Sequence, residues 1–148
     1  NGIVQPYLPV ERRRYRLRLL NKGPSRFQRL SFTNPANPGQ LIPFWVISCD
    51  GNLLTKPVAV TDLRLAPAQR VDVIIDFAKI ASTFGATKLW LENREVQTDP
   101  EKPSGYLDPA GTVTNALMEF RPNQLASSTD AGTYAILQVG ECLWGLGG

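Results

Sequence analysis

Three charged residues on one predicted strand are the side chains best placed to do chemistry. Arg70, Asp72 and Asp76 alternate with apolar residues, so a β-strand would present all three on one face. Carboxylates beside an arginine can act as general acids and bases. In the structural alternative, Arg70 pairs with Asp72 or with carbonyl groups of a nearby loop. We favour this structural interpretation and predict no catalytic residue in the chain.

The side chains that usually hold redox metals are nearly absent. The 148 residues contain no histidine, one methionine and two cysteines. This composition excludes a Ser-His-Asp or Cys-His catalytic centre and every site with imidazole ligands. Cys49 has no ligand-like neighbours in the sequence, and Met118 alternates like a core residue. We therefore predict no metal-binding and no cofactor-binding residue in this chain.

The two cysteines lie far apart and lack the close spacing of a metal site. A disulfide between Cys49 and Cys142 is one alternative, which would require an oxidising compartment. Two free thiols are the other alternative. The sequence does not distinguish between them.

Two further patterns could indicate a bound ligand. Trp45, Trp90 and Trp144 could stack on an aromatic ring or a sugar. Trp45 and Trp90 lie in strand-like runs, which favours packing in the core or against another domain. The glycines match neither of the common phosphate-loop motifs, so no nucleotide site is predicted.

Positive charge is concentrated near the start of the chain, whose net charge is +3. The basic residues of this region are Arg12, Arg13, Arg14, Arg16, Arg18, Lys22, Arg26 and Arg29. Such a cluster could attract phosphate or an acidic partner. Strict alternation from Arg14 to Leu19 instead predicts the solvated face of a strand, with Tyr15 on the opposite face. We expect neither a nucleic-acid partner nor a membrane span, since no apolar run approaches about 20 residues.

Short strand-like runs separated by glycine and proline turns extend over most of the sequence. The predicted strands cover residues 15–19, 27–32, 43–48, 61–65, 70–77, 88–93 and 115–121. Residues 52–54 and 57–60 connect two of them, and residues 78–83 could form one or two helical turns. Residues 34–39 and 94–112 are predicted loops, the second long and exposed. This pattern indicates an all-β sandwich or barrel in which each sheet has one wet face.

The composition changes at Pro122. Residues 123–132 have the composition of a linker, residues 133–139 form one more apolar run, and the glycine-rich end is predicted to fray. Because the chain opens with Asn1 rather than Met, we expect it to be a processed or cut piece.

Seven stretches of the sequence together form a recognisable family pattern: Asn1-Gly2, 6–8, 10–11, 15–21, 48–54, 65–77 and 115–120. They resemble the second cupredoxin domain of three-domain multicopper oxidases, in particular the bacterial spore-coat laccase and bilirubin oxidase branch. The block 65–77 is the most specific, with Gln69 where the family usually has Glu. The resemblance covers about residues 1–122, which we assign as one cupredoxin-like domain, with 123–148 as linker and tail.

The resemblance implies a Greek-key β-sandwich and, in the whole protein, copper-dependent oxidation of phenolic substrates coupled to dioxygen reduction. In such enzymes histidines and a cysteine of the first and third domains bind the copper. This chain would then be a middle structural domain or fragment, inactive alone, with the flanking cupredoxin domains as partners. The family also implies an extracellular, periplasmic or spore-coat location.

Two departures from the family pattern concern the ends of the domain. The strand that usually precedes Asn1-Gly2 is absent, and no third-domain start is recognisable after Pro122. A missing strand leaves an unpaired sheet edge. Residues 133–139 are the start of a third domain, an unrelated sequence or a strand that fills this gap. For the last alternative we expect Tyr134–Val139 to pair with the sheet or with a second copy, so that self-association through an edge strand is a predicted interaction. The alternative function is a non-catalytic β-sandwich protein-interaction module.

Overall fold

A computed structural model describes residues 5–97, 99, 102–108 and 115–127 of the chain. The elements in chain order are β1 (Tyr7–Arg12), β2 (Arg14–Leu20), β3 (Gln28–Asn34), β4 (Asn37–Ile42), β5 (Phe44–Cys49), β6 (Asn52–Val60), β7 (Asp62–Leu65), β8 (Arg70–Asp76), α1 (Phe77–Phe84), β9 (Leu89–Asn93) and β10 (Asn115–Ser127). None of the helices in these residues is long and apolar enough to cross a membrane.

The strands form two sheets. The six-stranded sheet has the order β1-β10-β9-β3-β4, and β7 pairs with the other half of β3 beside β4. The four-stranded sheet has the order β2-β8-β5-β6. The β1–β10 pair is parallel, whereas β2, β5 and β8 pair antiparallel with their neighbours. The predicted all-β sandwich with one short helix is confirmed.

The hydrophobic core lies between the sheets and is built from alternating strand residues. Val71, Val73 and Ile75 of β8 are at most 1% exposed, as their spacing predicts. Aromatic rings fill the centre of the core: Phe32 meets Phe44 edge to face at 5.2 Å between ring centroids. Such pairs contribute about 0.5–1.5 kcal/mol beyond their buried area.

Helix α1 begins where the β8 alternation ends. The Asp76 side chain accepts a hydrogen bond from the Lys79 amide at 3.0 Å and caps the helix. Phe77 and Ile80 are buried, and Gly85 ends the helix with a φ of +60°. The helical turns predicted at residues 78–83 are confirmed.

Two predicted connections are strands instead. Residues 34–39 were expected to form a loop, but only Pro35 and Ala36 form the turn, and β4 begins at Asn37. Residues 52–60 form the single strand β6, which contains Pro57. In the described sheets both β4 and β6 are edge strands, where proline is tolerated because its missing amide donor can face away from the neighbouring strand.

One pair of strands at the edge of the six-stranded sheet joins segments that are far apart in the sequence. Strand β1, which the sequence analysis did not predict, pairs with β10 from Tyr7 opposite Glu119 to Arg12 opposite Ser127. Strand β10 therefore crosses the predicted boundary at Pro122 and includes part of the expected linker. The remaining expectations for the tail, including the strand at residues 133–139, lie outside the described residues.

Candidate functional site

The two carboxylates singled out on β8 are bound by arginines of the neighbouring strand β2. Asp72 accepts hydrogen bonds from the Arg16 guanidinium, one of them from Nε at 3.0 Å. Asp76 Oδ2 lies 3.0 Å from Arg14 Nε, while its Oδ1 caps α1. Because both carboxylates already accept hydrogen bonds from arginines of β2, they serve on this face to hold β2 and β8 together.

Arg70 takes the second of its two predicted structural partners. Its Nη1 donates to the Ala68 carbonyl at 3.0 Å and lies 3.4 Å from Asp50 Oδ1. Asp72 pairs with Arg16 instead. The Arg70 contacts thus fasten the turn before β8.

The turn before β8 accounts for the start of block 65–77, the most specific motif of the sequence. The Gln69 side-chain oxygen accepts a hydrogen bond from the Ala66 amide at 3.0 Å. Buried Asn21 donates through Nδ2 to the Leu65 carbonyl at 3.1 Å and accepts at its own carbonyl from Ala68 N at 2.8 Å. Since a glutamate oxygen could accept the same bond as Gln69, the departure at this position leaves the turn intact.

Several of the basic residues near the start of the chain pair with nearby carboxylates. Arg14, Arg16 and Arg18 are exposed and alternate with half-buried residues, which confirms the predicted strand face. Arg13 pairs with Glu11 at 2.8 Å, and Arg29 pairs with Asp62 at 2.7 Å. The charges of Arg13 and Arg29 are thus balanced by nearby carboxylates.

The tryptophans in the described residues lie on the outer faces of the sheets. Trp45 is half-buried opposite Ile74 and Ala59, with Lys79 Nζ 6.0 Å from its ring centroid. Trp90 is half-buried between Thr33 and Glu119. Neither belongs to the buried core, so contact with another domain stays a prediction. Trp144 lies outside the described residues.

The donor atoms of this chain do not fit copper. A type 1 copper site needs two imidazoles and a thiolate, and the sequence has no histidine. The Cys49 sulfur is engaged in a disulfide, and Met118 packs against the core cluster. In the part of the chain that the structure describes, no three His, Cys, Asp or Glu side chains come together as a possible metal site.

A cluster of buried charges at the end of β9 is the feature that the sequence analysis missed. Glu92, Arg94, Glu95 and Asp108 are each 4% exposed or less. Residues 94–112 were predicted to be an exposed loop, which is wrong for the last three of these residues. The available signal was the β9 alternation, which places Trp90 and Glu92 together on the side away from the core.

Within this charged cluster, burial has the largest effect on the pKa of Glu92. It raises the pKa of Glu92 above its ordinary value of 4.5, and the negative charge of Asp108 raises the pKa further. A hydrogen bond with Thr33 and the positive charge of Arg94 oppose that rise. Arg94 Nε lies 3.9 Å from Glu92 Oε2, so the pair attracts across a longer distance than a direct hydrogen bond.

The charged cluster fastens the loop after β9 to the six-stranded sheet. Glu95 Oε1 accepts from the Gly105 amide at 2.9 Å, and Arg29 Nη1 donates to the Gly105 carbonyl at 2.8 Å. The Asp108 amide donates to the Arg94 carbonyl at 3.0 Å. These bonds connect the described part of the loop to β3 and β9, and the arrangement is structural.

Known proteins resemble this chain in sequence. No protein-family model matches it. Multicopper oxidase LPR1 homolog 3 of Oryza sativa subsp. japonica is 37% identical over 119 residues, which are 80% of this chain and 19% of the relative. The laccase of Bacillus subtilis is 44% identical over 77 residues, which are 52% of this chain and 14% of the relative.

A solved structure matches the fold. The McoA multicopper oxidase of the hyperthermophile Aquifex aeolicus superposes with a TM-score of 0.60 and 30% identity, over 79% of this chain and 22% of that one. The class that the two sheets define is a cupredoxin-like β-sandwich. The chain is a multicopper oxidase homologue, as its resemblance predicted. It spans 14% and 19% of the length of the two curated relatives above.

Proposed function

We propose that this chain is the middle domain of a laccase-like multicopper oxidase, in which the domain extends to Ser127 at the end of β10 rather than ending at Pro122, with the residues after it as linker and tail. Its role is to hold two copper-bearing domains in register and to form part of the wall of the substrate cleft. One observation carries the proposal: a chain homologous to multicopper oxidases has no imidazole with which to bind copper.

The chemistry of the parent protein then lies outside this chain. Copper bound by the flanking domains would supply the oxidation of phenolic substrates and the reduction of dioxygen. The residues described above contribute structure: paired charges on β2 and β8, and the charged cluster beside β9. The chain alone is inactive in this proposal.

Strand β1 offers a surface for a flanking domain. It lies at the edge of the six-stranded sheet, and Tyr7 and Leu8 are 57% and 38% exposed. Large apolar side chains at an open edge favour association. In the isolated chain the same edge supports self-association, which sedimentation at increasing protein concentration would detect and the variant Leu8→Lys would abolish.

The proposed location is outside the cytoplasm, in an extracellular, periplasmic or spore-coat setting. The disulfide at Cys49 supports an oxidising compartment, because such bonds persist there and are rare in the cytosol. Thiol labelling of the protein in its native host, before and after reduction, would test this location. A free Cys49 thiol in the native protein would contradict it.

A chimera tests the middle-domain role. The corresponding middle portion of the Bacillus subtilis laccase is replaced by residues 1–127 of this chain, which include the whole of β10. We expect the chimera to retain the copper content of the laccase and measurable phenol oxidation. A chimera that is folded by circular dichroism but has lost its copper would contradict the role.

A matched pair of variants sharpens the chimera experiment. Tyr7→Ser with Leu8→Ser removes the apolar surface of β1, and we expect it to lower copper retention and activity. Tyr106→Ser is the control, since Tyr106 is 73% exposed and its backbone bonds to Val96 and Ser104 lie within the loop after β9. Equal losses in both variants would argue against β1 as the inter-domain surface.

A further inference from the structure

Strand β2 has one open edge in the described residues. It is the end strand of the four-stranded sheet and pairs only with β8 there. The Asn21 amide donates to the Gln69 carbonyl at 3.1 Å, and the Phe77 amide donates to the Arg13 carbonyl at 3.2 Å. Odd-numbered residues therefore bond to β8, because hydrogen-bonded positions alternate along an antiparallel pair. The amides of the intervening even-numbered residues point to the open edge.

A gap between the two sheets adjoins this edge. Its lining is mainly apolar, although Arg18, Asn21, Lys22 and Gln28 also contribute. Its volume is about 400 Å³. The apolar residues that line it are Leu19, Leu20, Leu30, Leu65, Leu91 and Leu117. Leu20 and Leu117 are 57% and 40% exposed. An open strand edge beside an apolar gap is the kind of surface to which an extended segment binds by strand addition.

We propose that residues 133–139 of this chain add to β2 as a parallel strand and cover the gap. The path of the chain supports this occupant. Ser127, at the end of β10, pairs with Arg12, so the chain leaves β10 beside the start of β2 at Arg14. Residues 128–132 can span up to about 17 Å, enough to reach the open edge.

The composition of the segment matches the edge. The sequence Thr-Tyr-Ala-Ile-Leu-Gln-Val is as long as β2, which has 7 residues, and carries no charge. Alternate positions Ala135, Leu137 and Val139 are apolar, as a strand covering the half-buried Leu17 and Leu19 requires.

The disulfide provides an independent constraint. Cys49 is disulfide-bonded, and Cys142 is the other cysteine of the chain. In the sheet, Cys49 of β5 lies opposite Val71 of β8, and Val71 lies opposite Leu19 near the end of β2. A segment running parallel to β2 therefore directs Cys142 toward the end of the sheet where Cys49 lies.

Amide hydrogen exchange measured by NMR on the full chain tests the proposal. The variant Ile136→Pro with Leu137→Pro removes both amide donors from the middle of the segment, whichever of them faces β2. We expect the amides of Arg14, Arg16 and Arg18 to exchange at least about tenfold faster in this variant than in the unmodified chain. The amides of Tyr15 and Leu17, which bond to β8, are internal controls and keep their protection.

The control variant is Ile136→Thr with Leu137→Thr, which retains both donors and a high strand propensity. It should leave the exchange of the Arg16 amide within a few-fold of the unmodified chain. Fast exchange of the Arg14, Arg16 and Arg18 amides in the unmodified chain would overturn the proposal. Protection that persists in the proline variant, or that increases with protein concentration as pairing with a second copy requires, would overturn it as well.

Discussion

The outer faces of the two sheets carry similar charged residues in opposite environments. On the four-stranded sheet, the side chains of Arg14 and Arg16 are 49% and 48% exposed while they pair with Asp76 and Asp72. On the six-stranded sheet, the side chains of Arg94 and Glu92 are 1% and 2% exposed. Exposed pairs contribute about 0–1 kcal/mol to stability. Breaking a buried pair costs more, because it leaves an uncompensated charge.

This difference in exposure indicates which charged residues the stability of the domain depends on. The arginines of β2 line a solvated strand and can lose a partner to water. The charged cluster beside β9 fastens a loop to the sheet through Glu95 and Gly105, so its charges have become part of the packing. Four substitutions and two matched controls test this contrast, taken from the largest expected effect to the smallest.

Arg94→Ala should have the largest effect. It leaves Glu92 buried without the positive charge beside it, and we expect a loss of about 3–5 kcal/mol in the free energy of unfolding. Urea denaturation at neutral pH measures this loss. Arg16→Ala, the exposed counterpart, should cost no more than about 1 kcal/mol. Similar losses for the two variants would remove the distinction between the faces.

Glu92→Gln should change how stability depends on pH. The folded-state pKa of Glu92 is raised above 4.5, so its favourable contribution is complete below the unfolded-state pKa. That contribution is lost as pH rises through the raised pKa. Because glutamine does not titrate, the variant should become more stable relative to the unmodified chain over this range. Unfolding free energies measured from acidic to neutral pH would contradict the account if their difference stayed constant or moved the other way.

Asp76→Ala should have an intermediate effect. It removes the side-chain cap of α1 and the exposed pair with Arg14, and loss of such a cap costs about 1 kcal/mol. Asp76→Asn is the matched control, since asparagine also caps helices. Thermal or urea unfolding of the two variants separates cap from charge. Equal destabilisation by both would show that the cap contributes little.

Asp72→Asn should have the smallest effect. The exposed Arg16 partner can turn to water, so we expect a loss of at most about 1 kcal/mol, and less at high salt. Urea unfolding at low and high ionic strength measures it. A loss as large as that expected for Arg94→Ala would mean that the exposed face is also essential.

Strand β8 and helix α1 were predictable because their signals are local. Alternation from Val71 to Ile75 encodes burial directly, and a short helical stretch after it was recognisable. Strand β1 was missed because it is defined by parallel pairing with β10, more than a hundred residues away. Strand β4 was missed because Pro38 and Gly39 are typical of loops. Proline is compatible with a strand at the edge of a sheet, and the sequence does not reveal that position.

The sequence determines which ligand types the chain can offer, but it does not reveal which of its charged residues are buried. Composition alone excluded imidazole ligands, because a count of histidines needs no structure. The burial of Arg94 and Glu95 depends on bonds from residues 105 and 108, which return from a polar loop. The polar sequence around Arg94 and Glu95 predicts that both are exposed. They are buried because of tertiary contacts that the local sequence does not reveal.

The most direct test is the copper content of the purified full chain after incubation with copper and exhaustive dialysis. Elemental mass spectrometry should find far less than one copper per chain, and phenol oxidation should not exceed a buffer blank. One tightly retained copper per chain, or turnover above that blank, would contradict the proposal that this domain positions copper held by other domains.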